Sequence, residues 1–153
     1  MESKESENLP KNPTEAQGLL IKAFYKKFGK KALPIIKNVL KLQGRALGLK
    51  IKQKLSDYEL STVATAFSKS FDPAFVEIIT LTDEEFRIQG TKCPFGLENT
   101  DRELCEAVME IDQEYFFTAS DGKTQLAILQ TVAAGDPFCD TIYTIDVSKE
   151  DES

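Results

Sequence analysis

The sequence predicts an α+β domain in which three N-terminal helices precede a ββ-α-ββ unit, its strands forming an antiparallel sheet packed against helices. Apolar residues recur at helical spacing through the first third of the chain. Period-two runs bounded by turn residues occupy 75–91 and 124–146. The 153 residues, 41% of them hydrophobic and ten of them Phe, suffice for one core and are too few for two. A single domain is expected over 14–146, between disordered polar tails at 1–13 and 147–153.

Each element has its own signal. In 14–28, Leu20, Ala23, Phe24 and Phe28 fall at helical spacing, and Gly29 is placed to stop the helix. A second helix is expected over 31–55, with Pro34 tolerated in its first turn and Leu40, Leu47 and Ile51 continuing its buried stripe. Ser56 and Glu59 read as a capping box for a third helix, which Asp72-Pro73 closes. Strands over 75–81 and 85–91 turn at Thr82-Asp83-Glu84. Alternation sets Phe86 and Ile88 on one face and Arg87, Gln89, Thr91 and Cys93 on the other. Thr100 and Glu103 form a second capping box, opening a helix lined by Leu104, Val108, Ile111 and Tyr115, with Cys105, Met109, Asp112 and Phe116 in the adjacent stripe. Strands over 124–133 and 138–146 then turn at Gly135-Asp136-Pro137.

Composition narrows the chemistry. The chain has no histidine, which removes the commonest general base and metal ligand and every Cys-His or Ser-His pair. Glycine-rich phosphate loops and nucleophile-elbow patterns are also missing. Three unevenly spaced cysteines suit free thiols or thiolate ligands better than a disulfide framework. No apolar run approaches the roughly 20 residues that a membrane-spanning helix needs. Met1 to Glu7 is polar and acidic, unlike a secretory signal, so a cytoplasmic location is expected. The net charge of −6 is divided: residues 1–54 hold 13 basic and 4 acidic side chains, and no acidic residue occurs between Ala16 and Leu55. Such a stretch could meet an anionic surface, but the simpler expectation is solvated helix faces opposite an acidic half of the same fold or of a second subunit in a homodimer. Nucleic acid is not an expected partner.

The candidate chemical centre is therefore built from thiols and acids. Pro94 pushes Cys93 towards an extended conformation at a sheet edge. Cys139 and Asp140 follow a tight turn, and a bulge would be needed to bring both to one face. Cys105, with Asp112 two turns later, approaches from a helix. Cys93, Cys105 and Cys139 could hold zinc together with a carboxylate or water, although spacings of 12 and 34 residues match no zinc-finger template. For each thiol the simpler alternative is a small buried hydrophobe. Arg87 and Arg102 could grip a carboxylate bidentately or form surface ion pairs, and Glu106 and Asp112 are read chiefly as helix charges.

Several short pieces occur in a suggestive order: Phe28-Gly29 with Ala32, Gln43-Gly44-Arg45, Cys93-Pro94, Cys105 with Asp112, Gly135-Asp136, and Cys139-Asp140. Over most of residues 18–146 this order resembles the L-2-amino-thiazoline-4-carboxylic acid hydrolases and, more distantly, the 4-vinyl reductase type of small-molecule-binding domain. The chain departs from the pattern after Cys139-Asp140, where Thr141-Ile142-Tyr143 replaces an immediate aromatic residue. The resemblance implies hydrolytic opening of a cyclic amidine-like ring. Cys93 or Cys139 would be the nucleophile, Asp140 the proton carrier, and Arg87 and Asp112 the substrate-binding groups, or a thiolate-bound zinc would activate water. The alternative it implies is a domain that holds a small ligand, with or without a structural zinc, and turns nothing over.

Overall fold

The computed structural model describes residues 9–145, so of the expected tails at 1–13 and 147–153 the parts 1–8 and 147–153 lie outside the described residues. Helix α1 spans Pro13–Phe28. It begins where the Asn12 side chain accepts from the Glu15 amide at 2.9 Å, with Pro13 in the first turn. Gly29, at φ +65°, ends it, as its position suggested. A short 3-10 turn, Gly29–Lys31, leads into α2, Ala32–Lys52.

The buried side of α2 differs from the expected stripe. Ala32, Ile36, Leu40, Gly44 and Gly48 face inward, whereas Leu47 is exposed. This i, i+4 row ends in two glycines because a later helix, the one that carries Ile111 and Tyr115, lies almost against the backbone of α2. A Cβ on Gly44 would come within 2.2 Å of the Ile111 carbonyl oxygen. In α1 the inward residues are Gly18 and Ile21, while Leu20 and Phe28 face solvent.

Helix α3, Leu60–Ser68, starts later than the expected capping box. Glu59 occupies the cap position without a side-chain hydrogen bond, and Asp57 instead accepts from the Glu59 amide and the Thr62 hydroxyl. Strands β1, Val76–Leu81, and β2, Glu85–Gly90, form the expected hairpin, whose turn is held by the Thr82 hydroxyl accepting from the amides of Glu84 and Glu85. After β2, helix α4, Arg102–Val108, is capped by Asp101 rather than by Thr100, with Leu104 donating its amide to Asp101 at 2.8 Å. Tyr25 donates to the other Asp101 oxygen at 2.6 Å, which fastens α1 to the start of α4 and pushes the Tyr25 pKa up to about 12. Met109 separates α4 from α5, Glu110–Ala119.

Strand β3, Thr124–Gln130, stops short of the expected 133, because Val132–Ala134 forms a 3-10 turn before Gly135. Strand β4, Cys139–Ile145, then enters between β2 and β3, giving one antiparallel sheet in the order β1-β2-β4-β3. Helices pack on the face that carries Phe86 and Tyr143, and the architecture is of the α+β class.

The core has two parts. One joins Ile21, Ile36, Leu40, Leu97, Leu104, Cys105 and Ile111, and the other joins Leu60, Val63, Phe86, Phe116 and Tyr143. At the β3 edge, side chains take the place of a neighbouring strand. Gln113 donates to the Thr124 carbonyl and accepts from the Leu126 amide, and Arg102 donates to the Ile128 carbonyl. No described helix is long and apolar enough to cross a membrane.

Candidate functional site

The three cysteines occupy one neighbourhood, although Cys93 is not where alternation put it. Strand β2 ends at Gly90, so Cys93 lies in the following loop, its amide donating to Glu98 and its side chain packed against the aliphatic core. Cys105 is buried on α4, and Cys139 opens β4. The link between the last two is Thr131, a residue that no motif singled out. Its hydroxyl donates to Cys105 Sγ at 3.1 Å, and the Cys139 thiol approaches the same oxygen at 4.0 Å. The Val132 amide points at Cys139 Sγ at 3.5 Å, and Asp136 accepts from the Thr131 amide, which fixes the turn.

Burial pushes the Cys93 thiol above its ordinary pKa and lifts Cys105 to about 11. Both are therefore protonated at neutral pH and poor nucleophiles as they stand. Among the described residues, no three Cys, Asp or Glu side chains are arranged to hold a metal ion.

Asp140 belongs to the opposite side of the sheet. Cys139 and Asp140 are successive residues of a regular strand, and the irregularity in pairing falls across from them in β3, between Ile128 and Gln130. No bulge turns both side chains to one face. Asp140 instead receives Arg87 in a two-pronged grip, Nε to Oδ1 at 3.0 Å and Nη2 to Oδ2 at 2.7 Å, with Gln89 adding a bond at 3.2 Å. These donors hold its carboxyl below the usual range, and the residue is 4% exposed. Arg87 and Asp140 thus satisfy each other. Arg102 and Glu106 form a surface pair one helical turn apart at 2.9 Å.

Asp112 is different. It faces the sheet from α5, where Tyr143 Oη donates to its Oδ2 at 3.1 Å, and burial lifts its pKa to about 6. Its Oδ1 has no donor among the described residues, yet it is not a sealed atom: the one buried side-chain oxygen or nitrogen left unpaired among them is Gln130 Oε1. The residue as a whole is half-buried.

Two clefts flank this region. The larger, about 800 Å³, lies beside β1 between Phe71, Phe75, Ile78 and Phe138 and contains none of the candidate residues. The smaller, about 240 Å³, runs between α4–α5 and β3, lined by Arg102, Met109, Gln113, Leu126 and Ile128. Met109 and Gln113 lie one turn before and one residue after Asp112, so the smaller cleft borders the same helix, although Asp112 itself lines neither cleft.

No protein-family model matches the chain, and no curated protein matches its sequence. Solved structures do match in fold. The phenol-responsive sensory domain of the transcription activator PoxR, determined with phenol, is 14% identical at a TM-score of 0.56, over 90% of this chain and 76% of its own. Trafficking protein particle complex subunit 3 from Naegleria fowleri, covalently bound to palmitic acid, is 10% identical at a TM-score of 0.56, over 87% and 95%. Neither is a thiazoline hydrolase, and at these identities the likeness is one of fold: the chain shares the helices-on-one-sheet architecture of a sensory domain and a trafficking subunit.

Proposed function

We propose that this chain is a cytoplasmic small-molecule-binding domain without turnover, and that its ligand donates a hydrogen bond to Asp112 from the cleft between α4–α5 and β3. The observation that carries the reading is the half-used carboxylate, with one oxygen tied to Tyr143 and the other without a donor among the described residues, on a helix whose Met109 and Gln113 line a groove. The fold shared with a phenol-responsive sensory domain supports it. So does the state of the groups that a hydrolase would need: Cys93 and Cys105 hold their protons, Asp140 is locked to Arg87, and Cys139 is on the far side of β4 from Asp140. At about 240 Å³ the cleft lies below the range of about 300–1,000 Å³ typical of drug-sized ligands, which points to a single small ring bearing a hydroxyl or amine.

Phenol and aniline are the probes for a thermal-shift and calorimetric titration. Saturable binding that weakens about tenfold or more in Asp112→Asn is expected, since the lost partner would be a charged acceptor. Equal binding by the variant, or none by the native chain at millimolar probe, would refute the reading. Zinc enters as a structural alternative at the thiols. A divalent ion would displace protons from Cys93, Cys105 and Cys139, so metal analysis of the same preparation decides that point and leaves the Asp112 test intact.

A further inference from the structure

We propose that the outer surface of α2 is a docking seam for an acidic amphipathic helix of another protein. Ile35, Val39, Leu42, Ala46 and Leu49 are spaced by four, three, four and three residues, all outside the buried row of the same helix. That is the rhythm of a coiled-coil seam, and at 100° per residue the five side chains fall within a stripe about 80° wide and roughly 20 Å long. The four larger ones expose between 51% and 57% of their surface. Helix α1 adds Ala16, Leu20 and Ala23, exposed at the same rhythm. The side-chain amides of Gln17 and Gln43 bond to each other between the two stripes, so the helices present them side by side.

Charge selects the occupant. No acidic residue occurs from Ala16 to Leu55. Some of the basic ones are used within the fold, where Lys30, Arg45 and Lys52 pair with Glu103, Glu114 and Asp121. Lys31 and Lys50 border the seam with no ion pair among the described residues. Two copies of this chain meeting seam to seam would bring these lysines together without a counter-charge. A membrane surface is matched less well, because interfacial helices present a broad apolar face with bulky aromatic anchors, and this stripe is narrow, lacks aromatics and has Ala46 in its middle. A partner helix with apolar residues at the a and d positions and Glu at e and g would meet both the rhythm and the charge.

The probe is a synthetic four-heptad peptide with Leu at a and d and Glu at e and g, titrated into the full chain at low and high salt. Saturable binding that weakens with salt, and by about tenfold or more in Leu42→Glu and in Leu49→Glu, is expected. Both positions are solvent-facing, so circular dichroism of the variants should match that of the native chain. Absence of binding, or binding that both variants retain, overturns the proposal. A native dimer that Leu42→Glu splits in sedimentation overturns it by assigning the seam to a second copy. Co-flotation with phosphatidylserine vesicles that Leu42→Glu abolishes overturns it by assigning the seam to a lipid surface.

Discussion

The two ends of the interior are built on different terms. Around Ile36, Leu40, Leu104 and Cys105 the contacts are aliphatic and thiol, and the backbones themselves approach: a Cβ on Gly18 would meet the Phe95 carbonyl oxygen, and one on Gly44 that of Ile111. Around Phe86, Phe116 and Tyr143 the contacts are between rings, with centroids as close as 4.2 Å for Phe116 and Tyr143. One end is fixed by how near two main chains can come, the other by how flat side chains stack. The first should be intolerant of added atoms and the second of removed ones. Asp112 lies where they meet, on a helix with Ile111 in one part and Phe116 in the other.

The largest effect should come from emptying the ring cluster. Phe116→Ala is expected to cost about 3–5 kcal/mol in urea denaturation, because its fully buried ring touches Phe67, Phe86, Tyr115 and Tyr143 and nothing nearby can refill the space. At the other end an addition should do the damage. Gly44→Ala is expected to cost about 2–3 kcal/mol, since a methyl facing a backbone carbonyl forces α2 away from α5. If Gly44→Ala proved neutral while Phe116→Ala was severe, the contrast between the ends would collapse.

The smallest effect has the opposite sign. The Asp112 carboxyl is raised to about 6 by burial, so the folded chain keeps a proton that the unfolded chain has already given up. Stability from this group is complete below about pH 4 and is lost as pH rises to about 6. Discounted for partial solvent access, Asp112→Asn should stabilise the chain by about 1–2 kcal/mol near neutral pH, with the gain vanishing towards pH 4. Under the ligand-binding role proposed for Asp112, a group that costs stability when empty is the trade expected of a functional carboxylate.

The order of elements and both hairpins were legible because turns and periodicity are local. What escaped was anything that depended on which side of a helix found a neighbour. In α2 the sequence favoured Leu47 as a buried residue, but Gly48 is the one that closes on α5, and hydrophobicity cannot register a contact made by absence of a side chain. The capping boxes failed for a related reason. Asp57 and Asp101 captured the amides and hydroxyls near the starts of α3 and α4, leaving Ser56 and Thr100 out of those roles. In the candidate site, Cys105 and Cys139 are 34 residues apart and meet through Thr131, a connection set by the turn that Asp136 anchors. The Arg87–Asp140 grip depends on β4 entering beside β2, and adjacency of those strands is a property of topology that neither residue announces.

The treatment of the β3 edge has a consequence for how this protein can fail. Gln113 and Arg102 occupy the backbone groups of β3 that would otherwise accept another chain, while β1, at the other edge, has a pairing irregularity between Ile78 and Thr80 but no comparable side-chain cover among the described residues. Sheet-to-sheet polymerisation is therefore polar: growth by strand addition has one open terminus and one blocked terminus, and a fibre that kept this native fold would stop after two molecules joined β1 to β1.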